Sequence, residues 1–332
     1  MPKPTTQIDN GINRTLCVAP MMGKTDRHFR TMLRIAAPNA LLFTEMVASN
    51  SVVFSGNDNH LDFEPAERPL VLQLGGNDPK TLSLLSMSAE HKGFNEINLN
   101  VGCPSSKVKQ GQFGACLMLK PKVVAQCIKE MKQAVSIPVT VKCRLGVDDQ
   151  DSDILLHRFV EGLMLSGCDA IYLHARKAML NGLTPAQNRN IPPIQEDRVY
   201  LLKKEFPDLE IIFNGEINTA NIALEHLRIT DGVMVGRAAC NSPRFMSLLN
   251  SLLFQTSILK DEDIAKRYLD YMADQQRKGV PIQHMAKHML SLFKGYRGAR
   301  QYRRTLSDRS ILAEITIDFI QRMVADMRPA IG

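Results

Sequence analysis

The chain has 332 residues, 44% of them hydrophobic, enough for one barrel with an appendage or for two or three separate domains. Its seven cysteines, at 17, 103, 116, 127, 143, 168 and 240, are odd in number, scattered and without a Cys-x-x-Cys pair, which disfavours a disulfide framework or a zinc site and points to a reducing cytoplasm. A net charge of +7 hints at a polyanionic partner, while the absence of Trp and 6% aromatic content disfavour a module built on aromatic stacking.

Residues 1–15 are polar, so no signal peptide is expected. No run reaches the roughly 18 apolar residues of a membrane span. Eight short β-like runs follow, at 15–21, 41–46, 70–74, 96–101, 139–143, 170–174, 211–214 and 232–235. Helix-like stretches lie between most of them, at 26–36, 79–91, 122–135, 152–165, 198–206 and 219–227. Asp78-Pro79 reads as an N-cap followed by proline in the first turn, and Asn218 is a second cap candidate. The connection 48–68 is loop-rich and the weakest unit. Eight alternating units over about 240 residues predict an α/β architecture, a closed (β/α)8 TIM barrel, in preference to an open doubly wound sheet. From about residue 257 the pattern is helical only, at 261–278, 282–293, 299–306 and 311–327. The predicted division is therefore a barrel domain, 1–256, and an all-helical C-terminal domain, 257–332.

Several strands carry a polar residue near the C-terminal end, in phase with the barrel interior: Gln73, Lys142, His174 and Asn214. Gln, Asn and His can each be satisfied within a core, but an ammonium left unpaired inside a barrel is costly, so Lys142 calls for an anionic or strongly accepting partner. Asn214-Gly215-Glu216 and Gly236-Arg237 follow the seventh and eighth strands, where glycine N–H groups and an arginine suit a phosphate. No Gly-x-Gly-x-x-Gly follows a strand and no Walker loop is present, so a mononucleotide such as FMN fits better than a dinucleotide. The run Glu96 to Val101 alternates polar and apolar residues and ends in Gly102-Cys103-Pro104. Cys103 is thereby placed where barrels keep catalytic groups, although a buried structural thiol is the alternative. The loop 148–153 is acidic but lacks the glycine and distal Glu of an EF-hand, and reads as a helix-capping loop. Cations accumulate at Lys287, Lys294, Arg297, Arg300, Arg303, Arg304 and Arg309 against one acid, Asp308, which suits phosphate contacts.

These residues match a family. The chain resembles the tRNA-dihydrouridine synthases along nearly its whole length, in Ala19-Pro20-Met21, Thr44-Glu45-Met46, Gln73-Leu74-Gly75-Gly76, Asn98 to Ser105, Gly111-Gln112-Phe113-Gly114-Ala115, Val141-Lys142, His174-Ala175-Arg176, Asn214-Gly215 and Gly236-Arg237. Asn188-Arg189 and the stretch Gly298 to Arg304 resemble the A subfamily, which acts on tRNA positions 20 and 20a. The resemblance implies an FMN-binding barrel, a helical tRNA-binding domain and reduction of the uracil C5–C6 bond with NADPH or NADH as reductant. Carried over by position, Cys103 is the proton donor, and Ala19, Pro20, Met21, Gln73, Lys142, His174, Asn214, Gly215, Glu216, Gly236 and Arg237 line the flavin. Asn100 lies near the target uridine, and Arg189, Arg300 and Arg303 are further candidate tRNA contacts. A cytoplasmic monomer with tRNA as its partner, no metal and no protein partner is the expectation.

Overall fold

The computed structural model describes residues 11–55 and 61–329. The polar N-terminal run therefore falls largely outside the described residues.

All eight predicted strands form. Strands β1 (Leu16–Val18), β2 (Leu42–Phe43), β3 (Val47–Ala48), β4 (Leu70–Gly75), β5 (Glu96–Val101), β6 (Val139–Arg144), β7 (Ala170–His174), β8 (Glu210–Asn214) and β9 (Gly232–Val235) build one parallel sheet. Its order is β1-β9-β8-β7-β6-β5-β4-β2, with the short β3 also on β4. The ends meet: Val18 N–H donates to Leu41 O (2.9 Å) and Leu41 N–H donates to Leu16 O (2.8 Å). The result is a (β/α)8 barrel, in which the inter-strand helices cover the outer face.

The outer face explains the sequence pattern. On β5, Ile97, Leu99 and Val101 are fully buried, and so are Glu96 and Asn98, with Asn100 8% exposed. The alternation is thus not core against solvent. The polar phase faces the barrel interior and the apolar phase faces helices.

Two compact units group the chain: residues 11–23 with 41–236, and residues 24–40 with 237–329. The second unit takes in the helix Arg27–Ala36, and its second segment starts at Arg237, so the predicted division at 256/257 falls inside that segment. It also contains a helix the periodicity left unassigned, Pro243–Phe254, started by Ser242 and Pro243. Met246, Leu249, Ile264, Tyr268, Met285 and Tyr302 are among its fully buried side chains. Asp26 caps Arg27–Ala36 by accepting from Phe29 N–H (3.0 Å), and its carboxylate also holds Lys287 (2.6 Å) and His288 (2.8 Å). Burial works against that charge, but the hydrogen bonds from His288 and Lys287 prevail and hold Asp26 well below the usual carboxylate range.

Three expectations need correction. The cap before Ala220–His226 is Thr219, whose extended backbone lets its hydroxyl accept from Ile222 N–H, and not Asn218. The predicted helix 311–327 is two helices, Arg309–Glu314 and Ile317–Ala325, because Ile315 is extended and Thr316 caps a new start by accepting from Phe319 N–H. The C-terminal region is not purely helical: Tyr296–Arg297 pairs antiparallel with Arg328–Pro329. No helix among the described residues is long and apolar enough to cross a membrane.

Candidate active site at the barrel mouth

The C-terminal ends of β4 to β8 bring most of the predicted residues to one mouth. Cys103 follows β5 by two residues and is half-buried. Its backbone is fixed from two sides. Asn100 Oδ1 accepts from the N–H groups of Gly102 (3.1 Å) and Cys103 (3.0 Å), and the Cys103 carbonyl accepts from Ala115 N–H (2.9 Å). Gly114, at φ +71°, makes that second approach possible, since a Cβ there would sit 2.6 Å from the Cys103 carbonyl oxygen. The thiol itself touches Ser105 Oγ at 3.6 Å.

Below the turn runs a chain of buried polar side chains. Asn100 Nδ2 donates to Gln73 Oε1 (2.8 Å), Gln73 Nε2 donates to Asn98 Oδ1 (2.8 Å), and Asn98 Nδ2 donates to Thr140 Oγ1 (3.0 Å). Thr140 Oγ1 then donates to Glu96 Oε1 (2.6 Å), which also accepts from Tyr172 OH (2.9 Å). At the floor Arg14 Nη2 lies 2.7 Å from Glu96 Oε2, and Arg14 also pairs with Glu210. Gln73 and Asn100 thus spend hydrogen bonds on each other and on the Cys103 turn.

β6 presents Thr140, Lys142 and Arg144 in one phase. Lys142 Nζ donates to Asn214 Oδ1 (2.8 Å), whose Nδ2 donates to Met234 O (2.8 Å). Lys142 has no carboxylate partner among the described residues. Desolvation, reinforced by the nearby charge of Arg144, lowers its pKa to about 8. Arg144 is missing from the sequence candidates, because the predicted strand stopped one residue short of it; the polar phase already set by Thr140 and Lys142 was the available signal. Its guanidinium is buried and holds backbone only: Nε donates to Gly102 O (3.0 Å), and Nη1 donates to Lys177 O and Asn188 O (both 3.0 Å). Burial lowers its pKa to about 10, with Arg189 and Arg176 adding in the same direction.

The remaining expected residues fall as follows. Ala19 is buried, and Pro20 and Met21 are half-buried beyond β1. His174 ends β7, half-buried, beside Gly215. Gly215 (φ +152°) and Glu216 (φ +45°) form a turn few side chains adopt, and the Glu216 carboxylate is held by Arg176. Gly236 has open space where a Cβ would stand. Arg189 is exposed after Asn188, which is fully buried and pins its own loop by accepting from Met179 N–H (2.7 Å) and donating to Met179 O (2.9 Å). Lys109 Nζ donates to Asn181 Oδ1 (2.6 Å), tying the loop after β5 to the loop after β7.

The protein-family model for dihydrouridine synthase (Dus) matches residues 17–325. The chain belongs to the dihydrouridine synthase family. It is 44% identical over 299 residues to the tRNA-dihydrouridine(20/20a) synthase of Shewanella oneidensis, covering 90% of this chain and 89% of that one. It is 45% identical over 293 residues to the synthase of the same name from Xanthomonas axonopodis pv. citri, covering 88% of each chain. It is 44% identical over 317 residues to that from Escherichia coli (strain K12), covering 94% and 92%. Among solved structures, a 2-naphthoyl-CoA reductase in complex with 2-naphthoyl-CoA shares the fold, with a TM-score of 0.55 at 9% identity over 72% of this chain and 49% of that chain.

In this dihydrouridine synthase the acidic loop works as expected from sequence. Ser152 caps Asp153–Leu165, Asp148 Oδ1 accepts from Leu180 N–H (2.8 Å), and Asp151 pairs with Lys177 (3.1 Å). No cluster of three or more metal-ligating side chains occurs among the described residues. No disulfide joins the seven cysteines.

In the helical unit, Ala299–Ser307 buries Ala299, Tyr302, Thr305 and Leu306 and turns Arg300 and Arg304 outward, with Arg303 half-buried. None of these three arginines makes an ion pair among the described residues. Lys287, by contrast, is committed to Asp26, and the side chain of Arg309 lies outside the described residues.

Proposed function

We propose that this chain reduces uridine to 5,6-dihydrouridine in the D-loop of tRNA, at positions 20 and 20a, with FMN as resident cofactor and NADPH or NADH as reductant. The observation that carries the reading is Cys103, held at the mouth of the barrel by the Asn100 side chain, with Arg144 donating to the adjacent Gly102 carbonyl and Lys142 opposite Asn100 on the neighbouring strand, both without carboxylate partners among the described residues. The residues fit a flavin on their chemistry. Lys142 is an ammonium bonded to a neutral amide, so an anionic ring edge would complete its pairing. The open space over Gly236 leaves room for a phosphate against backbone. Lys142, His174 and Asn214 would hold the ring edge, and Gly215 and Gly236 the phosphate, with Arg237 next in sequence. Ala19, Pro20, Met21, Gln73 and Glu216 would complete the lining. FMN, when bound and reduced, supplies a hydride to C6 of the pyrimidine.

The chain supplies the rest. Cys103 gives its thiol proton to C5, acting as a general acid. The sulfur left behind regains its proton from solvent. Asn100 and Arg189 would contact the target nucleotide. Extruding a base costs a few kcal/mol, which binding to the rest of the RNA must offset. Arg300 and Arg303 would supply part of that binding through phosphates, and tRNA affinity would then fall steeply as salt rises.

The test is direct. The purified chain should carry flavin absorbance bands and, with NADPH or NADH, convert uridine in tRNA from a strain lacking dihydrouridine, while free uridine stays unreacted. Cys103→Ala should keep flavin and tRNA binding but turn over roughly 10²- to 10⁴-fold more slowly. A colourless protein that binds RNA would make the barrel a scaffold. Equal turnover of free uridine would make the chain a small-molecule reductase.

A further inference from the structure

We propose that the carboxylate of Glu96, on the barrel floor, sets the direction of hydrogen bonding at the Cys103 turn, which makes Glu96, Thr140 and Asn98 positioning residues for the thiol. The proposal rests on the reading of Cys103 as proton donor.

Along this single file of groups each hydrogen bond fixes the direction of the next. A carboxylate only accepts. Thr140 has one hydroxyl proton, and both acceptors in its reach, Glu96 Oε1 at 2.6 Å and Ile97 O at 3.3 Å, draw it away from Asn98. The Thr140 oxygen therefore faces Asn98 as an acceptor, and Asn98 must turn its NH₂ towards it. That choice points Asn98 Oδ1 at Gln73, which must present its own NH₂. Gln73 Oε1 then faces Asn100, whose NH₂ answers it, and Asn100 Oδ1 is left aimed at the N–H groups of Gly102 and Cys103. Shape alone does not make these choices, because the oxygen and nitrogen of an amide are nearly the same size. The charge at the start of the file does.

Burial gives the constraint its force. Glu96, Asn98 and Thr140 are fully buried, Gln73 is 1% exposed and Asn100 8%. Turning one amide around would set donor against donor at one buried contact and oxygen against oxygen at the next, and reversing the file as far as Asn100 would cost the turn at Cys103 both of its side-chain acceptor bonds. Because every bond in the file donates the same way, each polarises the next. Arg14, within 2.7 Å of Glu96 Oε2, keeps the other carboxylate oxygen occupied, and Oε1 acts towards Thr140 and Tyr172 alike only as an acceptor.

The test separates the hydroxyl from the space it fills. Thr140→Val removes the proton and the acceptor at nearly constant volume, and Thr140→Ser retains both. Two assays are run on the full chain: the alkylation rate of Cys103, followed by mass spectrometry of its peptide, and steady-state kinetics, kcat and KM, for uridine reduction in tRNA. Thr140→Val should change Cys103 alkylation by about threefold or more and lower kcat roughly tenfold with KM nearly unmoved, since a small misplacement of the acid acts on turnover and not on binding. Thr140→Ser should return both to within about twofold of wild type. Wild-type behaviour of Thr140→Val overturns the proposal, and so does equal impairment in Thr140→Ser, which would assign the effect to packing. If Thr140→Val does not fold, Glu96→Gln takes its place: a glutamine can donate to Thr140 and frees the file to reverse, so the same kinetic pattern is expected, and wild-type values overturn the proposal. A wild-type chain that leaves tRNA uridine unreduced defeats the functional reading alone, and the alkylation arm then decides the positioning proposal.

Discussion

On the side of β1, β2, β8 and β9 the barrel interior is closed by Cys17, Leu41, Phe43, Ile212 and Met234; on the side of β5 and β6 it is closed by Glu96, Asn98 and Thr140. Both sets are fully buried. Tyr172 joins them, with its ring edge-on to Phe43 at 4.9 Å and its hydroxyl donating to Glu96 at 2.9 Å. Hydrocarbon packing is non-directional, so the first side supplies cohesion and is indifferent to which way its neighbours point. Buried amides and carboxylates must match donor to acceptor, so the second side supplies orientation, and the Cys103 turn stands at the top of that side. The same fold thus keeps non-directional packing on one wall and directional bonding on the other.

The largest expected effect comes from breaking the polar wall at its base. Arg14→Met leaves the buried Glu96 and the half-buried Glu210 without their cation, and should cost about 3–5 kcal/mol in urea unfolding. A loss below about 1 kcal/mol would mean that the ion cluster does not anchor this wall. Lys142→Met should act the other way. It removes an ammonium bonded to a neutral amide and should raise stability by about 1 kcal/mol while abolishing flavin retention, a trade of stability against function. The sign with pH follows from its pKa of about 8 against an ordinary 10.5. Below 8 the lysine is charged in both folded and unfolded chains, and the cost of burying it is fully present. Between about 8 and 10.5 the unfolded chain binds more protons, so stability rises with pH. The gap between Lys142→Met and wild type should therefore narrow from pH 7 to pH 10 in matched unfolding curves, and a constant gap would remove Lys142 as the titrating group.

The strands were legible because period-two runs of Ile, Val and Leu separated by helix-like stretches admit few other arrangements. Cys103, Lys142 and Asn214 were legible because polar residues at the ends of such runs have few reasons to be there. What the pattern hid was phase and partnership. Glu96 and Asn98 alternate with Ile97 and Leu99 just as solvent-facing residues would, and only the closed barrel turns them inward. Gln73 was readable as a residue at the mouth, but not as a link between Asn98 and Asn100, because that depends on the register of β4 against β5. Arg144 was lost with one residue of strand. The grouping of Arg27–Ala36 with the C-terminal helices was hidden for a different reason: more than 200 residues of chain separate Asp26 from its partners Lys287 and His288, and no local pattern records such a pairing.

The smallest effect gives the sharpest form of the comparison. Ile212 is fully buried in the hydrocarbon wall, and Ile212→Val deletes one methyl group from it. The expected cost is about 0.5–1.5 kcal/mol, read from the shift of the urea midpoint at unchanged slope. Because the lost contacts have no direction, neighbouring side chains can settle around the gap without turning any donor away from its acceptor. Cys103 alkylation and kcat should therefore stay at wild-type values. Thr140→Val, on the opposite wall, changes volume less than Ile212→Val does, yet it is expected to disturb both quantities. If Ile212→Val slowed Cys103 as much as Thr140→Val, the thiol would be sensing the packing of the barrel as a whole, and the division of labour between the two walls would not hold.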